Sequence, residues 1–309
     1  MKLRKPLMEL SWNLLGQLAW TGLATSSYYA LFAVAFSLVL KINRVWNFSQ
    51  AGIMVFAYYG LYSGLQLIGL STLMSLFLGL VVALFAAISL EYYGFRILRK
   101  RKSPILTFFI FTIVLAQFAV FLAELLIGTA PTTLYPSLMS PVFLVKGIVV
   151  SHWDLQAIAT TLVLIFSLYL YFTFTRQGQS LVAIADNPSL AEMFGIDLQK
   201  GYIIAISISA VFITAGMYLF GTKAALFPST PLLQLLIFAV IATIVAGLGN
   251  IFGAALAAIF LGLFQTFSIL IIPSKWQILL AYILIFVVII FFPEGVRMPK
   301  RKIKRKNLT

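Results

Sequence analysis

The sequence predicts an all-α fold, a polytopic transmembrane bundle of about 8–10 spans, and three observations carry that prediction. Hydrophobic residues make up 62% of the 309 and charged residues only 10%, at a mean hydropathy of +1.05. A soluble domain carries about a quarter charged residues, so this chain cannot cover a water-facing surface. The apolar residues come in continuous runs near the roughly 20 residues that a helix needs to cross the hydrocarbon, not in the alternating stretches of a barrel strand. The basic residues sit at the ends of those runs: five within residues 96–102 and seven within 297–306. That placement is the positive-inside pattern, and it accounts for the net charge of +14 through topology and anionic lipid heads, without nucleic acid.

Taken in order, the runs place spans at about residues 18–40, 48–68, 71–90, 105–127, 155–175, 202–221, 233–248, 252–272 and 276–293. Nine crossings set the termini on opposite sides. A cytoplasmic C-terminus puts 16 basic residues inside and leaves 6 outside: Lys2, Arg4, Lys5, Lys146, Lys223 and Lys275. The opening Met1-Lys-Leu-Arg-Lys-Pro resembles a signal-peptide start, but no small-residue cleavage site follows, so it is expected to be retained. Nothing marks a second folding unit: residues 1–309 form one integral-membrane domain with a basic cytoplasmic tail at 297–309. In the loop 128–154, Pro131, Pro136 and Pro141 forbid a long helix, and the run from Val145 to Val150 can pair as a strand. The tryptophans Trp12, Trp20, Trp46, Trp153 and Trp276 fall near span ends, as in an interfacial belt.

The most informative interruption runs from Arg176 to Asp197. Asn187 is an N-cap, Pro188 suits the first helical position because no N–H is needed there, and Gly195 supplies a left-handed stop. Leu190, Met193 and Phe194, at i, i+3 and i+4, make one face of this short helix apolar. A helix of this kind outside the bilayer is a docking element, or else lies on the membrane surface.

The catalytic inventory is empty. No phosphate-binding loop occurs, since Gly221-Thr-Lys223 lacks the preceding glycine, and no nucleophile–base–orienter set can be named, so no enzymatic activity is expected. With a single histidine, His152, and no cysteine, no metal site or cofactor is expected. Of the eight acidic residues, only Glu124 falls inside a predicted span, near its end, which speaks against a proton relay. Amides are more telling. Asn43, Asn47, Ser49 and Gln50 cluster where the second span begins, which suits either a deeply placed, broken helix end facing a pathway or an ordinary cap at the interface, with Asn47 as N-cap. Gly247, Gly249 and Gly253 read as helix-packing glycines, with a tight turn as the other reading.

Several stations in order along residues 18–297 resemble the branched-chain amino acid permease family of ABC transporters. They are Tyr29-Ala-Leu-Phe-Ala, Asn47-Phe-Ser-Gln-Ala-Gly52, the Glu91 to Arg99 turn, the loop through Asn187, Pro188, Ala191, Gly195 and Ile196, the glycines at 247, 249 and 253, and Phe292-Pro-Glu-Gly-Val296. The chain departs from the family pattern at Gln50, where histidine is usual, and at Gln179 and Val182, where basic residues are common. The resemblance implies the permease subunit of an inner-membrane importer for a small polar solute, with branched-chain amino acids the best guess. It implies cytoplasmic ATP-binding subunits as partners, a second permease subunit (the same chain or a paralogue), and an extracytoplasmic substrate-binding protein. On that reading Asn187, Pro188, Leu190, Ala191, Met193, Phe194 and Gly195 form the ATPase-coupling helix, and Asn47, Ser49 and Gln50 line the substrate pathway. The alternative is a secondary carrier or channel for small amides such as urea, working without ATPase subunits.

Overall fold

The computed structural model describes residues 12–135, 141–145, 147–226 and 232–271, and isolated positions from there to 290. The described residues form α1 (Trp12–Asn43), α2 (Gln50–Tyr62), α3 (Thr72–Ser89), α4 (Arg96–Lys100), α5 (Ile105–Ile127), strands β1 (Val142–Val145) and β2 (Ile148–Ser151), α6 (His152–Phe174), α7 (Arg176–Asp186), α8 (Pro188–Met193), α9 (Leu198–Gly221), α10 (Leu233–Val245) and α11 (Ile251–Ser268). α2 continues through a π-helical segment, Ser63–Ile68, and a second π turn, Leu90–Phe95, joins α3 to α4. Seven of these continuous helices are long and apolar enough to cross a membrane; the fold is a polytopic helical membrane bundle. α10, at 13 residues, is shorter than the predicted span 233–248, and most of the predicted span 276–293 lies outside the described residues.

α1 is the central post. At 32 residues it outruns the predicted span at both ends, and it packs against α6, α7, α9, α10 and α11. From Ala24 onward its sequence is largely apolar on all sides, with small residues between larger ones, as an enclosed helix requires, while its first turns are partly exposed. Ala30, Leu31, Phe32, Ala33, Val34 and Ala35 are all without solvent exposure. By contrast α3, α5 and α6 turn large apolar side chains outward, among them Phe77, Phe85, Phe118, Phe121 and Phe166, because lipid is their solvent.

Helices meet where small residues let backbones approach. A β-carbon on Gly60 of α2 would sit 2.9 Å from the Gly79 α-carbon of α3, and one on Gly216 of α9 would sit 2.5 Å from the Phe32 ring of α1. Gly22 and Gly262 do the same work between α1 and α11. These contacts, not residues 247–253, are where glycine serves packing. Gly247 (φ +85°) and Gly249 (φ +90°) lie in the tight turn between α10 and α11, in a left-handed backbone that glycine adopts most readily. Gly253 donates its N–H to the Asn250 side chain that caps α11, and a β-carbon there would strike that cap. The helix-packing role assigned from sequence is therefore corrected to a turn and a cap.

The bundle has two distinct ends. At one lie Lys41, Arg44 and the basic α4 turn, together with α7, α8 and the α10–α11 turn. At the other lies an antiparallel hairpin, Val142 opposite Ser151 and Val145 opposite Ile148; the strand expected from the run Val145 to Val150 is divided between its arms, Val145 ending β1 and Ile148 opening β2. Gln17 of α1 exchanges two hydrogen bonds with the Val149 backbone. Ser151 and Asp154 form a reciprocal cap at the start of α6, and Asp154 also accepts from Trp20 Nε1 at 3.1 Å and pairs with Lys223 at 3.6 Å. Trp153 is buried and donates to the Leu219 carbonyl and Thr222, so it is a tie between helices and not part of an interfacial belt.

Replacing Gly60 by Val should force α2 and α3 apart and cost about 1–3 kcal/mol, as overpacking does. Thermal unfolding in detergent reads the effect, and an unchanged midpoint would refute the packing account.

Candidate functional site

Residues 175–197 fold into two short helices, one more than the sequence reading found. Thr175 caps α7 by accepting from the Gly178 N–H at 2.9 Å, and α7 buries Leu181 and Ile184. A β-carbon on Gly201 would come within 2.3 Å of Ile184, so α7 lies tight against α9. Thr175 with apolar residues at 181 and 184 was a legible helix signal. It was masked by the exposed polar residues Arg176, Gln177 and Gln179.

α8 begins as its cap residues dictate. Asn187 Oδ1 accepts from the Leu190 N–H at 3.1 Å, and Pro188 takes the first helical position. Gly195, at φ +79°, ends the helix, and its N–H bonds to the Glu192 carbonyl at 2.9 Å. Ala191 is buried and holds α8 to the body of the protein. The other face is bare: Leu190 is 49% exposed, Met193 83% and Phe194 79%. Arg44, just past the end of α1, donates to the Ala185 and Asp186 carbonyls at 3.1 and 3.2 Å. It thereby neutralises the C-terminal pole of α7 and fixes the joint where α8 starts. After α8, Asp197 caps α9; the Lys200 N–H that it accepts, aided by the Lys200 ammonium, holds its carboxyl below the usual range. Protonation in acid removes that favourable state, so the cap is intact at neutral pH and weakens only as pH falls.

The polar side chains at the start of α2 are inside the protein. Asn43, Asn47, Ser49 and Gln50 are all buried. Ser49, not Asn47, occupies the N-cap position and makes no side-chain cap; its hydroxyl bonds instead to Asn47 Oδ1. Gln50 donates to the Ala35 carbonyl at 3.1 Å and to Ser209 Oγ at 3.2 Å, joining α2 to α1 and α9. Gln50 Oε1 and Asn47 Nδ2 have no hydrogen-bond partner among the described residues. Of the three, only Ser49 reaches a described cavity, a cleft of about 280 Å³ between α2, the second π turn and α5, lined chiefly by apolar side chains such as Phe56, Tyr93 and Phe118.

The Glu91 to Arg99 turn, a station of the family resemblance, holds a buried charged cluster that its sequence does not disclose. Glu91, assigned from sequence to a span end, lies within the continuous helix from Thr72 to Lys100 and has no solvent exposure. Its carboxylate pairs with Arg99 and accepts from Asn43 Nδ2 at 3.0 Å and Gln199 Nε2 at 3.2 Å. The Arg99 guanidinium lies over the Tyr202 ring at 4.3 Å. A spacing of eight residues, about 12 Å of regular helix, does not read as an ion pair. The π turn between the two has no marker in the sequence. No group of acidic and histidine residues suited to a metal ion occurs among the described residues.

Replacing Asn187 by Ala should remove the α8 cap and cost about 1 kcal/mol of local stability. Amide hydrogen exchange across residues 188–195 reads this, and unchanged protection would show that the cap does not hold the helix.

The comparisons with known proteins place the chain in a family. The family model described as branched-chain amino acid transport system, permease component, matches residues 18–292. The chain is 24% identical over 287 residues to the high-affinity branched-chain amino acid transport system permease protein BraD of Pseudomonas aeruginosa, covering 89% of this chain and 93% of that one. It is 26% identical over 250 residues to the probable permease LivH of Methanocaldococcus jannaschii, covering 78% and 77%. With LivH of Escherichia coli K12 it shares 22% over 293 residues, covering 91% and 94%. Among solved structures, PsaBC from Streptococcus pneumoniae aligns over 88% of this chain and 91% of that one, at 12% identity and a TM-score of 0.49. The sequence match over nearly the whole bundle, from α1 past α11, makes this chain a member of the branched-chain amino acid transport permease family, a transporter subunit and not an enzyme.

Proposed function

We propose that this chain is the membrane-spanning subunit of an ABC importer in the cytoplasmic membrane, moving a small polar solute, a branched-chain amino acid by the names of its relatives. Two permease subunits enclose the pathway, a binding protein delivers solute to the hairpin end, and separate ATP-binding subunits dock at the basic end, with the C-terminus on the same side. The observation that carries this reading is the bare apolar face of α8, Leu190, Met193 and Phe194, on a helix whose other face is anchored. Left in water, three such side chains cost free energy; seated in a groove of a partner they bind in the helix-in-groove manner. The exposed Gln179 and Val182 replace the basic residues common in the family, so here docking rests on apolar contact more than on charge.

The chain carries no nucleotide-binding loop of its own, so the energy enters through this contact. Neutral amides suit the solute. Gln50 Oε1 is an acceptor and Asn47 Nδ2 a donor, both unpartnered, and together with Ser49 they match the ammonium and carboxylate of a zwitterion without burying a net charge. For these groups to meet solute, the start of α2 must part from α1 and α9, which is the movement that docking and ATP hydrolysis would drive.

Changing Met193 and Phe194 together to Asp should abolish ATP-driven uptake in proteoliposomes that contain the partner subunits, while insertion and thermal stability stay unchanged. ATPase association and uptake at wild-type levels in that variant would end the docking reading.

A further inference from the structure

We infer that Glu91 and Arg99, gripped by Asn43, Gln199 and Tyr202, form a positioning cluster that passes movement of α8 to the joint between α1 and α2; the inference rests on the docking role proposed for α8. The cluster stands where three elements end: α1 at Asn43, α3 at the π turn, and α9 at its first turn. α8 and α9 are separated only by residues 194–197, and Gln199 is the second residue of α9. A push on Met193 and Phe194 therefore reaches Gln199 and Tyr202 with almost no slack. Both of those residues hold the cluster, Gln199 through the Glu91 carboxylate and Tyr202 through its ring under Arg99 and its carbonyl, which accepts from Asn43 at 3.3 Å. Asn43, on the far side, is the last residue of α1, and the linker from it leads directly to Asn47, Ser49 and Gln50.

Two features mark the cluster as a switching element and not a plain staple. It is incompletely satisfied: Asn43 Oδ1, an acceptor, and Arg99 Nη1, a donor, both flank Glu91 buried and without a hydrogen-bond partner. The unmatched acceptor and donor are complementary, so the second arrangement that the inference calls for is one in which Gln199 withdraws and Arg99 turns to Asn43. Glu91 also sits on a π turn, where the backbone departs from the regular α-helical ladder, a feature often found at functional sites. A two-arrangement element touched by both sites is what physical coupling requires.

The test uses the whole transporter, permease with its ATP-binding subunits and binding protein, in proteoliposomes, with Glu91→Gln, Glu91→Asp and Gln199→Ala compared with wild type. Gln199 is partly exposed, so its variant keeps the fold even where a change at buried Glu91 does not. The expected result is that Gln199→Ala and Glu91→Gln retain the ATP-binding subunit and hydrolyse ATP, while solute moved per ATP falls about tenfold or more, within the usual range of coupling between sites. Glu91→Asp, which keeps the charge, should recover part of the loss. A stable Gln199→Ala variant whose uptake-to-hydrolysis ratio equals wild type overturns the inference. So does a loss in which uptake, hydrolysis and thermal stability fall in parallel. A wild-type chain that fails to hold the ATP-binding subunit overturns the docking reading, and this inference with it.

Discussion

Everything in the bundle depends on α1 being enclosed. A helix surrounded by other helices gains nothing from hydrophobicity, because lipid is as apolar as its neighbours; it is held by close packing and by bonds to its few polar groups. Small residues on α1 and on the helices around it bring backbones together, and Ser27, Ala35 and Asn43 each bond to a different partner helix. The same constraint explains why the polar start of α2 lies inside. Asn47, Ser49 and Gln50 are buried there, so they turn to partners in the protein; Gln50 Oε1 and Asn47 Nδ2 are left over, and the proposed solute contact rests on them.

How much of this the sequence disclosed follows from range. The α8 helix was legible because its determinants are local: Asn187, Pro188 and Gly195 act on backbone within a turn of themselves, and the structure places cap, first turn and stop where those residues lie. Seven of the nine predicted spans meet long apolar helices, because a minimum length is set by the hydrocarbon; α10 is shorter than its predicted span, and most of 276–293 lies outside the described residues. Strand propensity was legible in the β-branched run, but the hairpin was not: the run is divided between its two arms, and the first arm, beginning after Pro141, carries no local sign of pairing. What was hidden is what depends on distant contacts. Glu91 looked like a span-end carboxylate because the π turn that carries it has no marker in the sequence, and the Gln199 that meets it comes from the distant start of α9. Gly247 and Gly249 looked like packing residues because packing and turn formation both call for glycine, and only the backbone angle separates them.

The site thus divides by physical character. At the basic end, α8 shows apolar side chains where water is expected, and the Arg44 contacts to α7 hold it at a fixed angle to the bundle. Between α8 and the interior lies a charged cluster with an unmatched donor and acceptor. Beyond it lies the buried amide group at the start of α2. On the proposed reading, anchoring at the surface, incomplete satisfaction in the middle and unpartnered amides within connect the docking face to the gate.

The most direct measurement is site-specific thiol labelling, made clean by the absence of cysteine from the chain. Phe194→Cys should react with an impermeant thiol reagent in inside-out vesicles and not in right-side-out ones, and added ATP-binding subunits should block the reaction. Labelling that is unaffected by those subunits, or that proceeds from the opposite face, would contradict the account.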